Sequence, residues 1–147
     1  MNVRSLFAAA ALAAAAVALP VSAQQMKTVG GIVVNIGIVN AIMAEHVDAK
    51  HGAHKGGHGS GVEHIVVALA EEKGGARIAD ADVTIAVKNP SGTVQKKALL
   101  PMLTAGYPDY SEVFDFGWSG KYSVSVLIKR KGAAKPVEAR FTVNRSL

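Results

Sequence analysis

The sequence predicts an all-β fold, an antiparallel sandwich, on three observations. Apolar residues recur at every second position over short runs, those runs are rich in Val and Ile, and Gly, Pro, Asn and Ser clusters punctuate them at regular intervals. Residues 24–147 are long enough to fold as one domain that buries roughly two-thirds of its unfolded surface.

The elements follow in order. At the N-terminus, Arg4 precedes the apolar run L-F-A-A-A-A-L-A-A-A-A-V-A-L, then Pro20 and Val21-Ser22-Ala23 ahead of Gln24. A charged start, a short apolar stretch and a small-x-small site are the three parts of a secretory signal peptide, expected to be removed after Ala23. The run is also short for a bilayer span. Residues 1–23 are therefore read as the signal and 24–147 as a single exported domain, periplasmic in location.

Thr28 to Val39 reads as the first strand, its interspersed glycines marking a bulge or a close sheet contact. Asn40 to Val47 is expected to form a short helical turn. Asp48 to Gly61 is too rich in glycine for regular structure and is expected to be a loop. Glu63 to Ala70 is the next strand, ending at a turn around Lys73-Gly74-Gly75. Asp82 to Lys88 places Val83, Ile85 and Val87 on one face. Asn89-Pro90-Ser91-Gly92 then turns the chain into a strand from Thr93 to Leu100, with Pro101 as its end. Tyr110 to Phe116 puts Tyr110, Glu112, Phe114 and Phe116 on one face, and Gly117-Trp118-Ser119-Gly120 is a turn. Lys121 to Ile128 and Val137 to Val143 complete the set, with Tyr122, Val124, Val126 and Ile128, and then Val137, Ala139, Phe141 and Val143, on single faces. About seven such strands argue a sandwich of immunoglobulin-like type, and G-K-Y-S-V-S-V suits the strand whose tyrosine hydroxyl bonds back to upstream backbone in such folds.

One segment points to chemistry. All five histidines, His46, His51, His54, His58 and His64, fall within 46–64, four of them in H-G-A-H-K-G-G-H-G-S-G-V-E-H. Imidazole is the commonest protein metal ligand, and glycine lets several rings converge on one ion. The segment reads as a metal-collecting loop, with Glu45, Asp48 and Glu63 as flanking carboxylates. Among divalent ions the Irving–Williams order puts Cu(II) first for an imidazole cluster, with zinc behind it and nickel also accepted. The competing reading is a solvated linker that binds metal only as an expression tag would.

Other classes find no support. The chain has no cysteine, which removes disulfides, a lipobox and a thiol nucleophile. It has no G-x-S-x-G, no H-E-x-x-H and no phosphate-binding loop between a strand and a helix, so no enzyme is expected. The formal net charge is +5, with the excess concentrated late, from Lys121 to Arg145. Export argues against nucleic acid, and few aromatics interleave the basic residues as single-strand stacking requires. These cations read instead as a solvated face or as edge protection.

The stretch L-L-P-M-L-T-A-G-Y-P-D-Y, from Leu99 to Tyr110, resembles the periplasmic immunoglobulin-like metal-binding proteins that accompany bacterial high-affinity ferrous iron permeases, and more loosely the YtkA-like domains. The similarity runs from Glu63 to Val143 and rests on V-T-I-A-V-K-N-P-S-G-T-V, the Pro-Met, the Pro-x-Tyr and G-K-Y-S-V-S-V. It implies a copper ligand at Met102. Where that family has a histidine before the tyrosine, this chain has Asp109. The late hairpin K-R-K-G-A-A-K holds no histidine, and the family's acidic ligand falls near Val66. The ordinary role for Met102 is gap-filling in the core, and for Asp109 it is holding a turn.

The expected function is transition-metal buffering, delivery or transport, with copper as the first metal and zinc, nickel and iron as the others, iron on the resemblance alone. The candidate ligands are His46, His51, His54, His58, His64, Met102 and Asp109. A membrane metal permease is the expected protein partner, and a homodimer is left open. The alternative is a non-catalytic accessory module of such a permease, with an incidental His loop.

Overall fold

The computed structural model describes residues 24–40 and 61–146. The expected signal peptide, the expected helical turn after Asn40 and the His-rich loop, with His46, His51, His54 and His58, lie outside the described residues.

Nine strands form within them: β1 (Gln25–Val29), β2 (Ile32–Asn40), β3 (Val62–Glu71), β4 (Ala81–Lys88), β5 (Val94–Ala98), β6 (Leu100–Thr104), β7 (Tyr107–Asp115), β8 (Gly120–Arg130) and β9 (Val137–Arg145). One sheet runs β1-β2-β3-β7-β6 and the other β5-β4-β8-β9, every pairing antiparallel. The all-β sandwich is therefore as expected. Because side chains alternate across a strand, the inward set is what the period-two pattern picks out. Val34, Ile36, Ile65, Val67 and Leu69 of one sheet join Ile85, Val87, Tyr122, Val124 and Val126 of the other in one dry core. Each such side chain contributes about 1.5–3 kcal/mol on burial.

The two strands beyond the expected seven come from breaks in runs that look continuous. Gly30 and Gly31 take φ of +55° and +76°, the left-handed pair that a tight two-residue hairpin demands, so Thr28 to Val39 is a hairpin rather than one strand. The run from Thr93 to Leu100 breaks at Leu99. That residue is buried and donates its N–H to Val83 O at 2.8 Å, after which the chain crosses to the opposite sheet as β6. Pro101 does not end the strand but lies inside β6. An edge strand tolerates a missing N–H.

Side chains close the seams between the sheets. Beyond Ser111, β7 outruns its partner β6, and Gln95 of β5 fills in by donating to Asp115 O at 2.9 Å and accepting from Asp115 N at 3.0 Å. At the other seam Gln25 of β1 donates to Thr142 O at 2.6 Å, and the Lys27 ammonium stands 5.5 Å from the Phe141 ring centre.

The Tyr122 hydroxyl donates to Trp118 O at 2.9 Å and accepts from Trp118 N at 3.0 Å, the backward bond expected of this strand. Its ring packs on Phe116, 4.8 Å between centres. Tyr122→Phe keeps the ring and strands both backbone groups, so urea unfolding should show a loss of about 1–2 kcal/mol with an unchanged slope.

Candidate metal centre

The β6–β7 hairpin is set by a two-residue turn, Ala105-Gly106, with φ of +51° and +84°. Both central residues must be left-handed in this turn type, and holding Ala105 there costs about 1–2 kcal/mol. The turn fixes the register at Thr104↔Tyr107, Leu103↔Pro108 and Met102↔Asp109. Met102 and Asp109 are thus direct cross-strand neighbours on one face, with Thr104 and Tyr107 as the next pair on that face.

Asp109 is 7% exposed and sits within β7, not in a turn. Among the described residues its Oδ1 accepts no hydrogen bond, and the nearby Thr104 Oγ1 is likewise buried without one. The charge is balanced by Arg77, whose Nη1 lies 3.5 Å from Oδ1. Arg77 reaches it because the chain after β3 folds back, forming an Ala70↔Arg77 bridge, and its guanidinium lies 5.6 Å from the Tyr107 ring centre. Met102 is half-buried beside this group and belongs to the outer face rather than to the core. Next along the chain, Tyr110 points inward. Its hydroxyl accepts from Ala81 N at 3.0 Å and donates to Ile78 O at 3.3 Å. Burial pushes that phenol above its ordinary pKa.

His64 occupies another part of the sheet. It is half-buried on the outer face of β3, with Nδ1 3.2 Å from Ser111 Oγ. Its partner on β7 is Val113, and the four residues from there to Asp109 amount to about 13 Å of strand. Along this face His64 and the Met102/Asp109 pair are separated by Ser111, which takes the imidazole contact. Val66, on the same outer face, leaves the acidic position of the resemblance filled by an aliphatic side chain.

Glu63 does not join His64 either, because adjacent residues of a strand face opposite ways. It points inward, 8% exposed, and pairs with Arg145, whose guanidinium also lies 5.9 Å from the Phe116 ring centre. Among the described residues, no three His, Asp or Glu side chains converge as a metal cluster. Sequence reasoning missed Arg77, Thr104 and Arg145. No spacing rule marks them, since Arg77 and Arg145 meet partners distant in sequence and Thr104 is placed by the register of the β6–β7 hairpin.

No protein-family model and no curated protein matches the chain. Solved structures do. FetP of uropathogenic Escherichia coli, expressed in the periplasm, superposes with a TM-score of 0.63 at 14% identity, covering 82% of this chain and 92% of that one. Copper-reconstituted P19 of Campylobacter jejuni gives 0.64 at 12%, covering 82% and 92%. A DUF4426 family protein of Pseudomonas aeruginosa gives 0.57 at 18%, covering 84% and 94%. At these identities the likeness is one of fold, and in fold this chain is similar to all three.

Proposed function

We propose that this chain is a periplasmic transition-metal-binding protein that buffers copper or hands it on, and that it uses two elements. The His-rich loop collects divalent ions, and the Met102/Asp109 pair on the β6–β7 hairpin offers a site on the sandwich. The observation that carries the reading is that pair: a thioether beside a buried carboxylate whose Oδ1 lacks a hydrogen bond among the described residues. Buried carboxylates are costly without compensation, and a cation supplies it. The donor chemistry fits, since a thioether selects soft Cu(I) whereas imidazoles favour Cu(II) or Zn(II). The copper-bound state of P19 and of a FetP variant supports the same metal. Iron transport, nickel and zinc, a membrane permease as recipient and a homodimer belong to the same proposal, and catalysis and nucleic-acid binding do not.

Met102→Ala tests it. Cu(I) affinity, measured without oxygen against a chromophoric chelator, should fall by about tenfold or more while Zn(II) affinity stays nearly constant. An unchanged Cu(I) affinity would confine metal recognition to the histidines. Location has its own check. The intact mass of protein recovered from the periplasm should begin at Gln24, and full-length chain found in the cytoplasm would remove the exported reading.

A specific observation favours the accessory-module reading as second. The outer face of β2, β3 and β7 carries Val33, Val39, Val62, Val66 and Val113, half-buried to exposed, whereas the outer face of β8 and β9 carries Lys121, Lys129, Glu138 and Arg140. Away from Asp109 and Asp115 at its margins, this valine-lined face is uncharged, and such a face suits a partner. Weak, multiple, tag-like metal binding would leave this reading alone standing.

A further inference from the structure

Among the described residues Arg77 is the one cation that the fold brings to Asp109, and its placement bears on how metal would enter. The guanidinium is 37% exposed at the side chain, against 9% for Asp109, so it reaches from solvent over the hairpin. It makes two contacts there, the 3.5 Å approach to Oδ1 and the 5.6 Å approach to the Tyr107 ring. Neither is a close hydrogen bond. At 3.5 Å the ion pair balances charge without satisfying the oxygen, and among the described residues Thr104 Oγ1 on the same face is unsatisfied as well. The hairpin therefore holds a soft sulfur and two unsatisfied oxygens under a removable positive charge.

We propose that Arg77 is a built-in competitor for the cation at the Met102/Asp109 pair, holding the carboxylate in the metal-free protein and leaving it, together with the Tyr107 ring, when metal binds. The inference rests on the metal-binding reading of that pair and adds a selectivity to it. Exchanging a guanidinium for Cu(I) replaces one positive charge by another, so the buried group stays neutral and the released Arg77 returns to water. A divalent ion in the same place leaves an uncompensated positive charge in a poorly solvated position, with the displaced Arg77 close by. Charge balance and thioether softness then point to the same ion, and Arg77 acts on selectivity without being a ligand.

The apparent affinity of a site is reduced by the fraction of molecules in which it is competent. Removing the competitor should therefore tighten binding. In full-length chain carrying His51→Ala, His54→Ala and His58→Ala to silence the loop, Arg77→Gln is expected to tighten Cu(I) binding by about tenfold, read by competition with a chromophoric chelator. The chain with native Arg77 needs a second readout. Titration with Ag(I), a diamagnetic stand-in for Cu(I), should shift the Tyr107 ring resonances as the guanidinium leaves the ring. Unchanged or weaker Cu(I) binding in Arg77→Gln, with Met102-dependent binding intact at native Arg77, overturns the competitor role and leaves the metal reading standing. Static Tyr107 resonances during saturable Ag(I) binding do the same, whether or not the variant folds. Absence of Cu(I) binding with either residue at 77 removes both proposals at once.

Discussion

Replacing His51, His54 and His58 together by Ala should lower affinity for Cu(II) and Zn(II) by about 100-fold or more, the largest effect expected for this protein. A metal site loses most of its affinity with its ligands, since even supporting residues around a ligand cost 10–100-fold on removal. The pH dependence should carry the same signature. Imidazole ligates only when neutral, and its reference pKa is about 6.5. Affinity should be level above that value and fall as pH drops through it, about tenfold per pH unit for each proton that the metal displaces. The Met102 thioether carries no proton in this range, so a Cu(I) component resting on it does not follow the imidazole curve. Calorimetric titration at pH 7.5 and 5.5, with the native and triply substituted chains, separates the two components. Equal Cu(II) affinity in both chains would end the loop's role.

The second large effect concerns stability. Arg145→Met should destabilise the fold by about 3 kcal/mol, because it leaves the Glu63 carboxylate in the core side of β3 with no cation. The two residues join strands from opposite sheets, so the loss falls on the closure of the sandwich at the end where the His-rich loop leaves β2 and returns to β3. The double variant Glu63→Leu with Arg145→Met removes the stranded charge and should recover most of the loss, since an apolar pair of similar volume often replaces a buried ion pair without cost. Urea unfolding of the two single variants and the double variant decides the matter. If the double variant is as unstable as the sum of the single ones, the pair is not coupled and the stability lies in packing alone.

Little of the candidate site on the sandwich could be read from residue order. Met102 and Asp109 were both named there, Met102 by resemblance and Asp109 as a replacement, but their pairing depends on the left-handed Ala105, which nothing in T-A-G-Y announces. His64 looks like a neighbour of Glu63 in sequence, and the strand's alternation sends the two to opposite faces. Arg77 follows the strand ending at Glu71 and gives no sign that it folds back over the β6–β7 hairpin.

By itself the sequence determined that the chain is an antiparallel sandwich and which faces of β4, β8 and β9 turn to its core. Val83, Ile85 and Val87, and Tyr122, Val124, Val126 and Ile128, carry the period of two in a form that only a half-buried strand satisfies. It also placed the Tyr122 hydroxyl and the turns at Asn89 to Gly92 and Gly117 to Gly120. Tertiary structure alone decided where Leu99 sends the chain across to the other sheet, and which charges compensate Glu63 and Asp109. The physical reason is range. Alternation and turn chemistry are properties of a few consecutive residues, whereas an ion pair between residues 82 positions apart exists only once the sheets have closed and water has been excluded.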